Sequence, residues 1–76
     1  MVERAEDLLR EQGFRQFRVR IHGTNARIEL LPEDIPRMLD ENIRKEIVDK
    51  LKRYGFTYIT IDLEGYRTGS MNEVLV

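Results

Sequence analysis

The hydrophobic pattern of this chain changes period near residue 14, and that change restricts the fold more than any other feature of the sequence. In residues 17–22 and 26–30, apolar side chains alternate with polar or charged ones. Such alternation is typical of β-strands that bury one face. Because residues 23–25, Gly-Thr-Asn, lie between the two runs, the segment is predicted to form an antiparallel hairpin.

Helical spacing of apolar residues flanks the hairpin on both sides. Residues 2–12 show this spacing and are followed by Gly13, a residue that favours helix C-termini. The same pattern predicts a second helix from Asp40 to Arg53, before Gly55. Asp40 is expected to cap the N-terminus of this helix, because its side chain can accept bonds from the first backbone N–H groups.

A third strand is predicted after the second helix. Pro32 is expected to end the second strand, and residues 33–36 to form a short helical turn. Alternation resumes in residues 56–63. Ile59, Ile61 and Leu63 are expected to face inwards, and Tyr58, Thr60 and Asp62 outwards.

The predicted fold is a single two-layer α+β domain over residues 1–76, with element order αββαβ. Two helices are expected to cover one face of a three-stranded mixed sheet. A right-handed crossover is expected to place the third strand beside the first and parallel to the second, giving the order 2-1-3. This is the pattern of a ferredoxin-like fold without its first strand. A domain of this size buries only about 60% of the surface of its unfolded chain, so the core is expected to be thin.

Composition excludes several classes of function. Thirteen Lys and Arg against fourteen Asp and Glu give a net charge of −1, which argues against nucleic acid and anionic membranes as partners. The chain has no cysteine, so it offers neither disulfides nor thiolate chemistry.

No long apolar run and no secretory signal is visible, so we expect a cytoplasmic protein. Without a phosphate loop, nucleophile elbow or paired acids, we expect no catalysis by the chain alone, no cofactor and no metal.

The outward face of the hairpin carries the first candidate site. Arg18, Arg20 and Arg27 are predicted to project there beside the third strand, with Glu29 and His22 at the margin. Arginine presents paired donors that match phosphate or carboxylate oxygens. The alternative stays open that these arginines only keep the wet face of a small sheet soluble.

Two further sets of residues have a structural and a chemical interpretation. His22, the single histidine, either caps a turn or acts in metal or proton chemistry, and the absence of a neighbouring histidine or cysteine favours the turn. The acids of the first helix, Glu3, Glu6 and Asp7, either complement the helix dipole or supply a carboxylate to a site.

Four stretches of the sequence together resemble a known protein family. They are Ala5-Glu6-Asp7-Leu8-Leu9, Gly13-Phe14-Arg15-Gln16-Phe17-Arg18-Val19-Arg20-Ile21-His22-Gly23, Ala26-Arg27-Ile28-Glu29 and Asp62-Leu63-Glu64-Gly65-Tyr66-Arg67-Thr68-Gly69-Ser70-Met71-Asn72-Glu73. They are similar to the C-terminal region of the LarE-type ATP-dependent sacrificial sulfur transferases, across nearly the whole chain. The closing Gly-Tyr-Arg-Thr-Gly-Ser-Met-Asn-Glu stretch is the most specific part.

The resemblance implies a role in building the nickel-pincer cofactor of lactate racemase. Family members adenylate a carboxylate of a pyridinium nucleotide and transfer sulfur from a protein cysteine. Their phosphate loop and donor cysteine precede the matching region, so we expect neither activity here. By resemblance, Arg18 and Arg20 lie near the sulfur-transfer site with Glu6 as a neighbour. Arg27 and Arg67 are weaker candidates for binding substrate phosphates or a domain interface.

The sequence therefore predicts a non-catalytic accessory or substrate-binding domain, separately encoded or separately expressed. Its partner is expected to be an anionic nucleotide or an ATP-pyrophosphatase subunit of the PP-loop superfamily, and residues 64–76 are expected to form a docking tail. The alternative is a structural module that forms homo-oligomers and binds no ligand.

Overall fold

A three-stranded sheet with helices on one face organises the computed structural model, which describes residues 2–66. The α+β class predicted from the sequence is confirmed. The elements are α1 (Val2–Glu11), β1 (Phe17–His22), β2 (Asn25–Leu30), a 3-10 turn (Pro32–Asp34), α2 (Ile35–Met38), α3 (Glu41–Arg53) and β3 (Tyr58–Ile61).

The order of the strands differs from the prediction. The hairpin is antiparallel as expected, and β3 runs parallel to β2, but β3 lies beside β2 and gives the order β1-β2-β3. The predicted position beside β1 was wrong. The preference for right-handed crossovers restricts the direction in which the connection from β2 to β3 turns. It does not determine the strand order, because the sequence does not reveal on which side of β2 the first strand lies. Hydrogen bonds to the carbonyl of Thr24 from the backbone N–H groups of Thr57 and Tyr58 hold the start of β3 beside β2.

The core lies between the sheet and the helices and is centred on β2. Ala26, Ile28 and Leu30 of this central strand are fully buried, whereas Ile21 of the edge strand β1 is 37% exposed. Leu63, predicted to face inwards, is 81% exposed because β3 ends at Ile61 and the chain turns. The buried apolar residues are Ala5, Leu8, Leu9, Phe14, Val19, Ala26, Ile28, Leu30, Met38, Ile47, Leu51 and Phe56.

Both long helices end in the same capping arrangement. After α1, the N–H of Gly13 donates to the carbonyl of Arg10, and that of Phe14 donates to the carbonyl of Leu9. The glycine has a φ of 95°, and Phe14 and Leu9 are both buried, as in a Schellman motif. After α3, Gly55 and Phe56 repeat the pattern with Lys52 and Leu51. The predicted helix ends are thus confirmed, and each motif also delivers a phenylalanine to the core.

A turn after β3 returns the chain to the end of the central strand. The N–H of Gly65 donates to the carbonyl of Asp62, and the N–H of Tyr66 donates to the carbonyl of Leu30. Tyr66 is therefore fixed beside the sheet. No helix within residues 2–66 is long and apolar enough to cross a membrane.

Candidate functional site

The arginine face is the sheet surface opposite the helices, defined here by Arg18, Arg20, Arg27 and Glu29. The strand register places Arg18 opposite Glu29 and Arg20 opposite Arg27. Residues that oppose each other in an antiparallel pair project to the same side. The core residues Val19 and Ile28 alternate with the arginines and point to the helices. The predicted hairpin register is therefore confirmed, and it brings the three arginines together.

Glu29 lies within this face and not at its margin, where the sequence had placed it. The residue is only 8% exposed. Its Oε2 atom accepts a hydrogen bond from Nε of Arg20 at 2.8 Å and from a terminal nitrogen of Arg27 at 3.3 Å. Because Arg20 and Arg27 are like charges in directly opposed positions, they would repel each other without this carboxylate. Glu29 thus holds two guanidiniums close together.

Arg18 has a different environment from the other two arginines. Its guanidinium carbon lies 5.6 Å from the ring centroid of Tyr66, which is a cation–π distance. Among the described residues, Arg18 makes no ion pair, and its side chain is exposed. The face therefore combines three guanidiniums with one carboxylate, so its formal charge is positive.

Several donors on the face remain accessible for a ligand. Arg20 bonds Glu29 through Nε, and its two terminal nitrogens have no hydrogen-bond partner within residues 2–66. Nε of Arg27 is buried and has no hydrogen-bond partner in the described part of the chain. An unpaired buried donor costs about 1–3 kcal/mol, but this atom has almost no solvent exposure, so the donors that a ligand can reach are the terminal nitrogens of Arg20 and the guanidinium of Arg18. The arrangement is suited to binding an anion with several oxygens.

The remaining predicted site residues lie elsewhere. Glu6 belongs to α1 and pairs with Arg10 at 3.7 Å. The helices cover the other side of the sheet, so the structure does not bring Glu6 to the arginine face. Arg67 lies outside the described residues, as does the predicted docking tail beyond residue 66. Within residues 2–66, no group of three or more His, Cys, Asp and Glu side chains could hold a metal ion.

Sequence reasoning missed the roles of Glu29 and Tyr66. Glu29 lies on the same face of β2 as Arg27 and pairs across the hairpin with Arg18. A negative charge between arginines on one face was therefore a sequence signal for an ion pair. Tyr66 had no such signal, because its position depends on the turn after β3.

An apolar groove lies on the other side of the sheet, beside the edge of β3 that pairs with no strand within residues 2–66. Its volume is about 170 Å³. Leu39 at its rim is 57% exposed, and Arg44 also lines it, with no ion pair among residues 2–66. The lining residues are Ile28, Met38, Leu39, Arg44, Ile47, Val48, Ile59, Thr60 and Ile61.

Comparison with known proteins finds two informative relatives. An uncharacterised protein of Synechocystis sp. is 46% identical over 74 residues, which cover 97% of this chain and 28% of the relative. Pyridinium-3,5-bisthiocarboxylic acid mononucleotide synthase of Lactiplantibacillus plantarum is 45% identical over 71 residues, covering 93% of this chain and 25% of the synthase. No protein-family model matches the chain.

The chain thus spans about a quarter of the length of each relative. The similarity agrees with the resemblance to LarE-type sulfur transferases noted from the sequence. This chain is therefore related to a segment of the pyridinium-3,5-bisthiocarboxylic acid mononucleotide synthase.

Proposed function

We propose that this chain is a non-catalytic accessory or substrate-binding domain of a LarE-type sulfur transferase and that its arginine face holds an anionic nucleotide. The observation that carries the proposal is the convergence of Arg18, Arg20 and Arg27 on one open face. The relationship to the synthase supports it, because the mononucleotide in that enzyme's name carries a phosphate and acid groups on its ring.

The proposed mechanism is electrostatic and positional. The terminal nitrogens of Arg20, which have no partner in the described part of the chain, can donate two parallel bonds to a phosphate or carboxylate. Arg18, whose guanidinium lies over the ring of Tyr66, supplies a second guanidinium, and it makes no ion pair with the other described residues. Together they would hold the nucleotide in one orientation while another part of the assembly acts on it.

The chemistry itself is assigned to a partner. These 76 residues contain no cysteine, so in this proposal the sulfur donor and the ATP site lie outside them, on an ATP-pyrophosphatase unit. The arginine face would then either present the nucleotide to that unit or form part of the surface that docks onto it.

Titration with nicotinate mononucleotide tests this function, because that compound joins a phosphate monoester to a pyridinium carboxylate. We expect NMR shifts centred on Arg18 and Arg20 that saturate with ligand and weaken as salt is added, since the attraction between exposed charges is screened. The double variant Arg18→Ala with Arg20→Ala should lose binding altogether.

The matched control removes two positive charges from α3, by Lys45→Ala with Lys52→Ala. These lysines are exposed and belong to the helix layer. Binding that persists in this control and disappears in the arginine variant supports the proposal. Equal losses in both variants, or no saturable shifts in the unaltered chain, would contradict it.

Self-association without a ligand is a second candidate function. In the described residues, β3 pairs with β2 on one side only, and Tyr58 at this edge is 66% exposed. An open edge beside an apolar groove can pair with a second copy. Sedimentation velocity across a range of concentrations would test it: a mass that rises with concentration, together with no nucleotide shifts, would favour this function over binding.

A further inference from the structure

We propose that Glu29 is a positioning residue for anion binding, and that it strengthens binding although it carries the same sign of charge as the ligand. This inference rests on the proposed function of the arginine face. It adds a residue that touches no ligand and acts by fixing the guanidiniums that do.

The geometry supports a positioning role over that of a simple counter-charge. A single oxygen of Glu29 accepts from both Arg20 and Arg27, so the two side chains share one anchor. The bond from Arg20 uses Nε at 2.8 Å, and no hydrogen bond within residues 2–66 occupies its two terminal nitrogens. The part of Arg20 best suited to a phosphate or carboxylate is thereby left open.

Burial makes this anchor rigid. The side chain of Glu29 is only 11% exposed, whereas those of Arg20 and Arg27 are 37% and 42% exposed. A buried carboxylate loses most of its contact with water and is stabilised by its two charged partners. The guanidiniums of Arg20 and Arg27 are consequently held against a buried carboxylate, while both side chains remain partly exposed to solvent.

Neutralising Glu29 distinguishes a positioning role from a counter-charge role, because the two roles predict opposite changes in the affinity for anions. If Glu29 only offsets charge, Glu29→Gln makes the face more positive and tightens anion binding several-fold. If Glu29 positions the arginines, Arg20 and Arg27 lose their shared anchor and separate, and binding weakens. Orienting partners of ligand-binding groups in metal sites contribute about tenfold or more to affinity, and we expect a loss of about tenfold here.

The experiment measures the affinity of the full chain for nicotinate mononucleotide by NMR titration, with Glu29→Gln and Glu29→Asp compared to the unaltered chain. Glu29→Asp keeps the charge but withdraws the carboxylate by one methylene. Weaker binding by both variants supports positioning. Unchanged binding by Glu29→Asp, or binding by Glu29→Gln that is equal or tighter, overturns it.

The Nε–H resonance of Arg20 provides a second readout. As long as the variant stays folded, a lower stability alone would not change the chemical shift of this proton. In the free protein this proton should be shifted and protected by the bond to Glu29, and both effects should decrease in Glu29→Asp. If Glu29→Gln does not fold, Glu29→Asp and this resonance still decide the question.

Different results would refute nucleotide binding by the arginine face and the positioning role of Glu29. No binding by the unaltered chain refutes the proposed function, and the positioning role falls with it. Binding by the unaltered chain that Glu29→Gln does not weaken refutes the role of Glu29 alone.

Discussion

Gly65 shows how one residue controls the approach of the chain to the candidate site. Its φ is +86°, and a Cβ atom added there would lie 2.6 Å from the carbonyl oxygen of Leu30. The following residue, Tyr66, donates its N–H to the same carbonyl, and its ring meets Arg18. Only glycine combines this backbone conformation with so close an approach.

Gly65→Ala should therefore lower the free energy of unfolding by roughly 2 kcal/mol, from the left-handed conformation and the backbone clash together. Gly23→Ala is the matched control, because Gly23 also has a positive φ, +58°, but its added Cβ would meet nothing within 4 Å. The control should cost about 1 kcal/mol. Urea denaturation of both variants is the measurement, and equal losses would show that the contact with Leu30 does not constrain the turn.

The helix α3 shows how an element is delimited by residues at its two ends. Oδ2 of Asp40 accepts hydrogen bonds from the N–H groups of Asn42 and Ile43 at 3.1 and 3.2 Å, which confirms the predicted cap. At the other end, Lys50, Lys52 and Arg53 lie in the last turn, where positive charge complements the helix dipole. This helix forms one wall of the core beneath β3.

Asp40→Ala should cost about 1 kcal/mol, the usual effect of losing an N-cap. Asp40→Asn should retain most of the stability, because asparagine caps nearly as well. Asp49→Ala is the control within the same helix: Asp49 pairs with Arg53 at 3.0 Å, with both side chains exposed, and should cost under about 0.5 kcal/mol. Thermal unfolding followed by circular dichroism measures all three, and a loss for Asp40→Asn as large as for Asp40→Ala would contradict the capping role.

At the scale of the whole molecule, stability depends on one small core centred on β2. The same cluster contains Leu9 of α1, Ile28 of β2, Ile47 of α3 and Phe14 from the connection after α1. Removing a residue at the centre therefore affects every layer. A domain of this size has little stability to lose.

Ile28→Ala should cost about 2–5 kcal/mol, because it leaves a cavity in the middle of the central strand. Ile21→Ala removes the same atoms from the edge strand, where the side chain is 37% exposed, and should cost less than half as much. Urea titrations followed by circular dichroism compare the two. A similar loss at both positions would mean that β2 is not the centre of the core.

The elements could be predicted because each depends on neighbours in the sequence. Gly13, Gly55 and Asp40 mark helix ends through local backbone geometry, and alternation in residues 17–30 was sufficient to place Arg18, Arg20 and Arg27 on one face. Leu63 was assigned wrongly because the same alternation continued past the point where β3 leaves the sheet. The pattern does not indicate where a strand stops pairing.

Local periodicity thus determined the helices, the hairpin and the side of the sheet on which each arginine lies, since all three follow from spacing along the chain. The position of β3 beside β2, the sharing of Glu29 between two arginines and the stacking of Tyr66 on Arg18 arose only when distant segments packed. These contacts depend on burial and hydrogen bonding across the fold, which no short stretch of sequence encodes.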